Sequence, residues 1–434
     1  MNDQDTTKRV AIACQGGGSH TAFTAGVLKR LLRNNQLKGY EIVGLSGTSG
    51  GAICALLAWY ALLDGSDGER AAGLLDAFWE DNSATAPHEM LVNYWTIWAS
   101  KLQNFLVTPA LSPYDNYFSV LGLNEFRRML QRRVDFEKIE VQPESSYPIL
   151  LVGAVDVLSG EFRAFNSQRE RISAEMILAS AAIPTLFRSV RAGGGTYWDG
   201  LFSQNPPVKE LVEARPDEIW VIQINPKDCK DEPKTVVEIA DRRNELSGNL
   251  SLYQELRFIE KIDQMLEEGL LPRDAKYKQI VVRVIELSRS RFSRSLGTAS
   301  KLNRDPRFIK DLISHGEARA EEFLAALAFE DAWRSRDYEA VMGFFASDAE
   351  LVSSTPFPDG GIYRGKEEIH TFLQEHMGED VLMDLTKKQV ARNRVAWTGR
   401  AYLEEDPADW VEGTAEAEFQ GQKIKALRLG GAET

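Results

Sequence analysis

Two glycine-rich turns near the start of the chain hold the residue types best suited to chemistry. Gly47-Thr48-Ser49-Gly50-Gly51 follows the short apolar run Tyr40 to Leu45 and leads directly into the small, apolar stretch Ala52 to Trp59. The pattern predicts a strand, a tight turn and a helix, with Ser49 on the turn. A serine there is forced into a strained backbone conformation, and the flanking glycines are needed because strand and helix approach too closely for side chains. Its hydroxyl would stand at the positive end of a helix, exposed for nucleophilic attack.

The earlier turn can supply the second requirement of acyl transfer. Val10 to Cys14 is a continuous apolar run ended by Gln15 and the glycines Gly16, Gly17 and Gly18, and Ala22 to Leu32 follows with helical spacing. Backbone N–H groups at such a helix start can face the negative oxygen of a tetrahedral intermediate, where one donor contributes roughly 3 to 4 kcal/mol. The same glycines could serve a nucleotide. However, Thr21 stands where a dinucleotide fingerprint needs Gly or Ala, and neither turn ends in the Gly-Lys-Ser/Thr of a phosphate loop.

A serine nucleophile needs a base. The five histidines are His20, His88, His315, His370 and His376, and none has the order and setting of a triad histidine after the serine. His315 falls in a helical stretch, or at its cap if Gly316 ends one. Asp199 is the better candidate. It follows Gly193-Gly194-Gly195 and precedes Gly200 and Asn205-Pro206-Pro207, so it is either a turn former or a positioned base.

With these residues in view, the chain resembles the patatin-like phospholipases over roughly residues 8 to 324. That family combines a Gly-Gly-Gly oxyanion motif, a Gly-x-Ser-x-Gly elbow and a downstream Asp-Gly. The matching pieces are Gly16-Gly17-Gly18, Gly47 to Gly51, Ala179 to Phe187 and Asp199-Gly200. His20, Thr21 and Leu201 depart from the family pattern. The resemblance implies a Ser49–Asp199 dyad without histidine, and an oxyanion hole drawn from Gly16, Gly17, Gly18 and Gly50. It also implies an acyl-enzyme mechanism on a phospholipid or other acyl-ester lipid, of phospholipase A or lysophospholipase type, with no cofactor and no metal. A small-molecule esterase or thioesterase and a catalytically idle lipid-binding or sensing protein are the alternatives.

The elements that must position these residues set the fold class. The two strand-turn-helix units, with apolar runs at Ile149 to Val155 and Glu218 to Asn225, predict a three-layer α/β domain around a mostly parallel sheet. The stretch Met90 to Val107 is rich in large apolar residues, as is Tyr114 to Leu121. Either could pack on a core, line an acyl pocket or meet lipid head groups, but polar residues interrupt both too often for a membrane span. Ser288 to Ser295 is basic and serine-rich, a solvated loop or a contact for lipid phosphate.

At 434 residues the chain is long enough for two domains, and its net charge of −13 argues against nucleic acid and against electrostatic adhesion to anionic membranes. Any membrane contact must be local and peripheral. Three cysteines without metal spacing, and a polar start leading straight into a strand, point to the cytoplasm.

The acidity concentrates after residue 324, where 12 Lys and Arg face 21 Asp and Glu. This shift divides the chain into domains 1–324 and 325–434, near the end of a helix that Asp305 caps and Pro306 opens. Beyond it the pattern predicts helices at Phe329 to Met342 and Tyr363 to Leu373. Strands are expected at Ala349 to Val352, Gln389 to Ala391, Val395 to Trp397 and Phe419 to Leu429. Together they make a smaller α+β unit with a curved antiparallel sheet. Arg336-Asp337, Phe345-Ala346-Ser347-Asp348-Ala349 and Arg364-Gly365 resemble the SnoaL-like, or nuclear transport factor 2-like, cone fold. That resemblance implies a binding, regulatory or dimerisation module, with a homodimer through this domain as one outcome. His370 and His376 read as surface residues on or near a helix.

Overall fold

The computed structural model describes the chain except residues 1–6, 34–36, 64, 66–67, 104–111, 116, 142–147, 185, 230, 273–276, 289–295, 336, 355–359, 377–380, 392–393, 404–405 and 432–434. Most of the basic run Ser288 to Ser295, and the end of the aromatic stretch after Gln103, therefore lie outside the described residues. Two compact units form, residues 1–280 with 287–317, and residues 281–286 with 318–434.

The first unit is built on strands β1 (Lys8–Cys14), β2 (Tyr40–Thr48), β3 (Ile149–Asp156), β4 (Phe162–Asn166), β5 (Val190–Ala192), β6 (Gly195–Asp199) and β7 (Glu218–Gln223). Its helices are α1 (Ala22–Leu32), α2 (Gly50–Leu63), α3 (Gly68–Asn82), α4 (Pro87–Gln103), α5 (Tyr117–Arg133), α6 (Ala174–Ser180) and α7 (Val236–Glu267). β1 lies parallel to both β7 and β2, and β2 parallel to β3. These strands read as near-continuous apolar runs because the sheet is buried: Val10 to Cys14 have no exposure, and neither do Leu150 to Val152 or Ile219 to Ile222. α2 is buried along nearly its whole length, which explains why its residues are small and apolar all round rather than on one stripe.

Pairing around β3 decides where the site forms. β4 runs antiparallel along one edge of β3, from Leu151 to Val155. The opposite edge is shared in succession. β2 pairs parallel until Thr48 faces Gly153, and β6 then takes over antiparallel with Asp199 facing Ala154. The end of β2 and the end of β6 thus oppose consecutive residues of one strand. With a rise of about 3.3 Å per residue, the turn after Thr48 and the side chain of Asp199 are neighbours. The glycine run before Asp199 closes the β5–β6 hairpin, with Gly193 at φ 50° and Gly194 at φ 85°, the left-handed pair that a two-residue hairpin turn requires.

The second unit contains β8 (Val281–Glu286), the part of α8 (Pro306–Arg334) from residue 318 onward, α9 (Tyr338–Phe344), β9 (Phe345–Ser353), β10 (Gly361–Arg364), α10 (Gly365–His376), β11 (Val381–Ala391), β12 (Arg394–Leu403), β13 (Asp406–Gln420) and β14 (Lys423–Gly431). The β9–β10, β11–β12, β12–β13 and β13–β14 pairs are antiparallel, whereas β14–β9 and β8–β11 are parallel. Register shifts in β11, β12, β13 and β14 act as bulges, which bend strands.

Local elements depart from the pattern reading at four places. α8 starts where expected, with Asp305 Oδ1 accepting from the Arg307 and Phe308 N–H groups, but it continues to Arg334 and takes in both units' residues. The helix expected over Phe329 to Met342 is divided, because Asp337 caps a new one by accepting from the Ala340 N–H. Tyr363 and Arg364 end a strand, and the helix begins only at Gly365, whose φ is 74°. Phe419 to Leu429 is a hairpin rather than one strand, turned at Gly421 with φ 63°. In the last three cases a single capping or left-handed residue overrides the apolar periodicity around it.

Candidate active site

Ser49 stands between β2 and α2 with a backbone φ of 55°. An L-residue pays for that left-handed conformation, and the surroundings hold it in place. A methyl group at Gly47 would come within 2.5 Å of Gly51 backbone atoms, and one at Gly51 within 2.3 Å of the Cys14 carbonyl oxygen. The Ser49 N–H donates to Ser180 Oγ at 2.9 Å, and Ser180 Oγ donates onward to the Gly153 carbonyl at 2.6 Å. Ser180 is thus a strut between the turn and the strand beside it.

Asp199 ends β6 and is 1 % exposed. Its Oδ1 accepts from the Leu201 N–H at 2.9 Å, while Oδ2 has no hydrogen bond of normal length and angle. Burial pushes the carboxyl up from 3.8 to about 7, against the opposing effects of the Ser49 hydroxyl, the Leu201 amide and the Lys301 charge. The Ser49 hydroxyl is among the groups that hold the value down, yet no hydrogen bond of normal length and angle reaches Oδ2. Nucleophile–base bonds are often long without substrate and tighten only in the reacting complex. A carboxyl near 7 is matched to proton transfer at neutral pH, whereas an ordinary aspartate is too weak a base for a serine.

The glycine loop completes the group. The Gly16 N–H donates to Asn205 Oδ1 at 2.7 Å, so this amide anchors the loop and is not turned toward Ser49 as a donor. Gly17 and Gly18 follow, Gly18 at φ 57°, and the chain passes through the 3-10 turn Gly18–Thr21 into α1. Gly50 opens α2, where the first N–H groups have no acceptor within the helix. Thr21 is buried, donates to the Gly18 carbonyl at 2.6 Å, and lies so near Gly50 that a methyl there would meet Thr21 Oγ1 at 2.1 Å. A side chain at position 21 is accommodated because position 50 has none. His20 is also buried and shares a 2.8 Å hydrogen bond with Ser300.

Several residues beyond the motifs hold this arrangement. Gln15 Oε1 accepts from the Ile224 and Asn225 N–H groups, and its Nε2 donates to Asn249 Oδ1 at 2.8 Å. Asn205, fully buried, bridges Gly16 to the Gly248 carbonyl. The available signals in sequence were Gln15 and Ser180, polar residues at the ends of otherwise apolar elements. Cys14 and Cys54 are buried thiols, pushed up by desolvation, with Cys54 at about 12. As thiols of that kind they are inert packing groups. His315 lies in α8 and packs against the Phe23 ring, far in sequence from the loop motifs. His370 lies on α10.

Comparison with known proteins finds a family match for each of two parts of the chain. Residues 12–212 match the family of patatin-like phospholipases, and residues 326–427 match the SnoaL-like domain. No curated protein matches the sequence. Similar solved structures include an NTF2-like protein of unknown function from Mesorhizobium loti, 18 % identical, covering 26 % of this chain and 92 % of that one with a TM-score of 0.24. A second NTF2-like protein, from Burkholderia xenovorans LB400, is 18 % identical over 25 % of this chain and 87 % of its own, at a TM-score of 0.22. A computationally designed 17-OHP binder is 20 % identical over 25 % of this chain and 88 % of its own, also at 0.22. The first family match supports hydrolysis of lipid esters as the general activity.

Proposed function

We propose, from the premise that residues 12–212 are a patatin-like phospholipase region, that this protein is a serine hydrolase cleaving acyl esters of lipids, of phospholipase A or lysophospholipase type. Ser49 Oγ attacks the ester carbonyl carbon while its proton passes to Asp199. The carbonyl oxygen becomes an oxyanion that the Gly17, Gly18 and Gly50 N–H groups receive. Collapse of the intermediate expels the alcohol, which takes the proton from Asp199 and leaves an acyl-Ser49. Water, deprotonated by Asp199, then releases the fatty acid and restores the serine. The observation that carries this reading is a strained serine beside a buried carboxylate whose proton affinity lies at about 7.

Two surface features support the lipid substrate. α4 exposes Met90, Leu91, Val92 and Tyr94 by 50 to 63 %, and its Asn93 side chain bonds Asn303 and the Arg304 N–H just after the turn Thr298–Leu302. Exposed large apolar side chains near that turn suit shallow contact with a lipid surface. Among the described residues no helix is long and apolar enough to cross a membrane. The cysteines Cys14, Cys54 and Cys229 are free thiols, which agrees with a cytoplasmic site of action. In the second unit, Phe329, Trp333, Trp397, Ala415, Leu427 and Leu429 line an apolar recess, and this supports a role as a binding or pairing module.

The test is labelling by a fluorophosphonate probe, expected on wild type and absent from Ser49→Ala. Lipid profiles of cells with either form should then show which ester is consumed. A labelled but lipid-inactive protein would favour the small-molecule esterase, and an unlabelled wild type the idle lipid-binding protein. If full-length protein is monomeric and binds no hydrophobic probe, the proposed role of the second unit fails.

A further inference from the structure

The first unit holds a second concave site, built on residues that take no part in the group around Ser49. Val212, Phe258, Ile259, Ile262 and Ile280 line a recess of about 530 Å³ that opens to solvent, and Arg215, Asp263, Tyr277 and Lys278 complete its wall. Ile259 and Ile280 are buried, whereas Phe258 is 51 % exposed. The recess lies on α7, ten to fifteen residues past Gly248, whose carbonyl accepts from Gln15 and Asn205 beside the glycine loop. At 1.5 Å per residue, the two places are about 15 to 22 Å apart along the helix.

Arg215 gives this recess a charged end. It closes the 3-10 helix Lys209–Ala214 in the left-handed region, at φ 51°, a place that glycine takes with least strain. The carboxylates two residues to either side are committed elsewhere. Both Glu213 oxygens accept from Arg169 Nη2, at 3.0 and 2.9 Å, while Asp217 pairs with Lys278 at 2.7 Å and accepts from the Arg9 N–H. Asp263, on the wall itself, accepts from the Ile280 N–H at 3.2 Å. Among the described residues, the Arg215 guanidinium has no hydrogen-bond or ion-pair partner. Lys209 Nζ, 5.8 Å from the Phe258 ring centroid, adds a second positive charge nearby. Apolar walls with a cation at one end complement a molecule that joins an apolar chain to an anionic head.

We propose that this recess binds the anion of a long-chain fatty acid, with its carboxylate on the Arg215 guanidinium and its chain against Val212, Phe258, Ile259 and Ile262. The planar fork of an arginine can donate two parallel hydrogen bonds to one carboxylate, which a lysine cannot. A fatty acid is also what hydrolysis at Ser49 releases, and the choice of a carboxylate over a phosphate head rests on that reading. The shape and charge of the recess do not depend on it.

Calorimetric titration of full-length Ser49→Ala with sodium palmitate, kept below its micelle concentration, tests this without interference from turnover. A saturable site is expected. Adding Arg215→Gly, which removes the head contact and relieves the left-handed strain, should weaken that site roughly tenfold or more, and Arg215→Lys should fall between the two. Hexadecanol, with the same chain and no charge, should bind the Ser49→Ala parent no better than palmitate binds the Arg215→Gly form. A palmitate carrying a diazirine on its chain should crosslink to the α7 peptide that contains Phe258 and Ile262, and Ile262→Trp, which fills the recess, should remove that crosslink. Unchanged palmitate affinity in Arg215→Gly, crosslinks confined to other peptides, or tighter binding of a lysophospholipid than of palmitate at this peptide overturns the proposal. Fluorophosphonate labelling of Ser49 should be the same in wild type and in Arg215→Gly alone. An unlabelled wild type overturns the hydrolase reading, whereas normal labelling with no Arg215-dependent palmitate site overturns this inference only.

Discussion

Two buried carboxylates, one in each unit, show how burial is turned to different ends. Glu330 in the second unit is 3 % exposed. It meets Arg283 with both oxygens, at 3.1 and 2.9 Å, and Trp397 Nε1 donates to it as well. Asp199 in the first unit is equally buried, yet its one hydrogen bond of normal length and angle comes from the Leu201 N–H. The Glu330 charge is neutralised on the spot, which makes a structural anchor of it. Asp199 is left able to take or lose a proton near neutrality, and this is the property a base requires. What separates an anchor from a reactive group here is the number of partners, since burial is the same.

The comparison can be broken most sharply at the nucleophile and its base. Ser49→Ala and Asp199→Asn should each lower ester hydrolysis roughly a thousandfold or more in protein with unchanged circular dichroism; a residual rate within tenfold of wild type in either would contradict the dyad. Next in size is Glu330→Ala, which strands Arg283 in the interior and should cost about 3 to 5 kcal/mol of stability, read as a lower denaturation midpoint. An apolar pair, Glu330→Leu with Arg283→Met, should recover most of that loss, as expected of an anchor whose charge has no chemical duty.

Asp199→Asn also sharpens the contrast through pH. The folded carboxyl holds its proton to about 7, whereas the unfolded one releases it near 3.8. Its stabilising contribution is therefore complete below about 4 and is lost as pH rises to about 7. Thermal melts should place Asp199→Asn above wild type at pH 8 and level with it near pH 4. Ser180→Ala removes the acceptor of the Ser49 N–H, and a roughly 10- to 100-fold fall in kcat is expected from one lost hydrogen bond of about 1 to 3 kcal/mol. Smallest is the test of the Thr21–Gly50 fit: Gly50→Ala should impair activity through its 2.1 Å clash with Thr21 Oγ1, and Thr21→Gly added to it should restore part of the rate.

Much of the first unit was legible because its signals are local. Strand β1, the glycines and α1 lie within one stretch of chain, as do β2, Ser49 and α2, and each part constrains the next by backbone geometry. Asp199 could be named as a candidate from its glycine-rich setting, but its proximity to Ser49 arises from two strands sharing one edge of β3. The second unit was harder to read. Its elements are bounded by single capping or left-handed residues such as Asp337, Gly365 and Gly421, which apolar periodicity does not register. β8 was not legible as part of that unit at all, because its pairing with β11 joins residues about a hundred positions apart.

Residue types and their order along the chain were enough to determine a strained serine, a glycine loop able to present N–H groups and a nearby class of base, because each depends on backbone conformations that only a few neighbouring residues permit. Tertiary structure decided the rest. It committed the Gly16 amide to Asn205, set Ser180 beneath the nucleophile, brought Lys301 against Gly18, and buried Asp199 far enough to raise it to about 7. Desolvation and long-range contact belong to the packed chain, and no short stretch of sequence contains them.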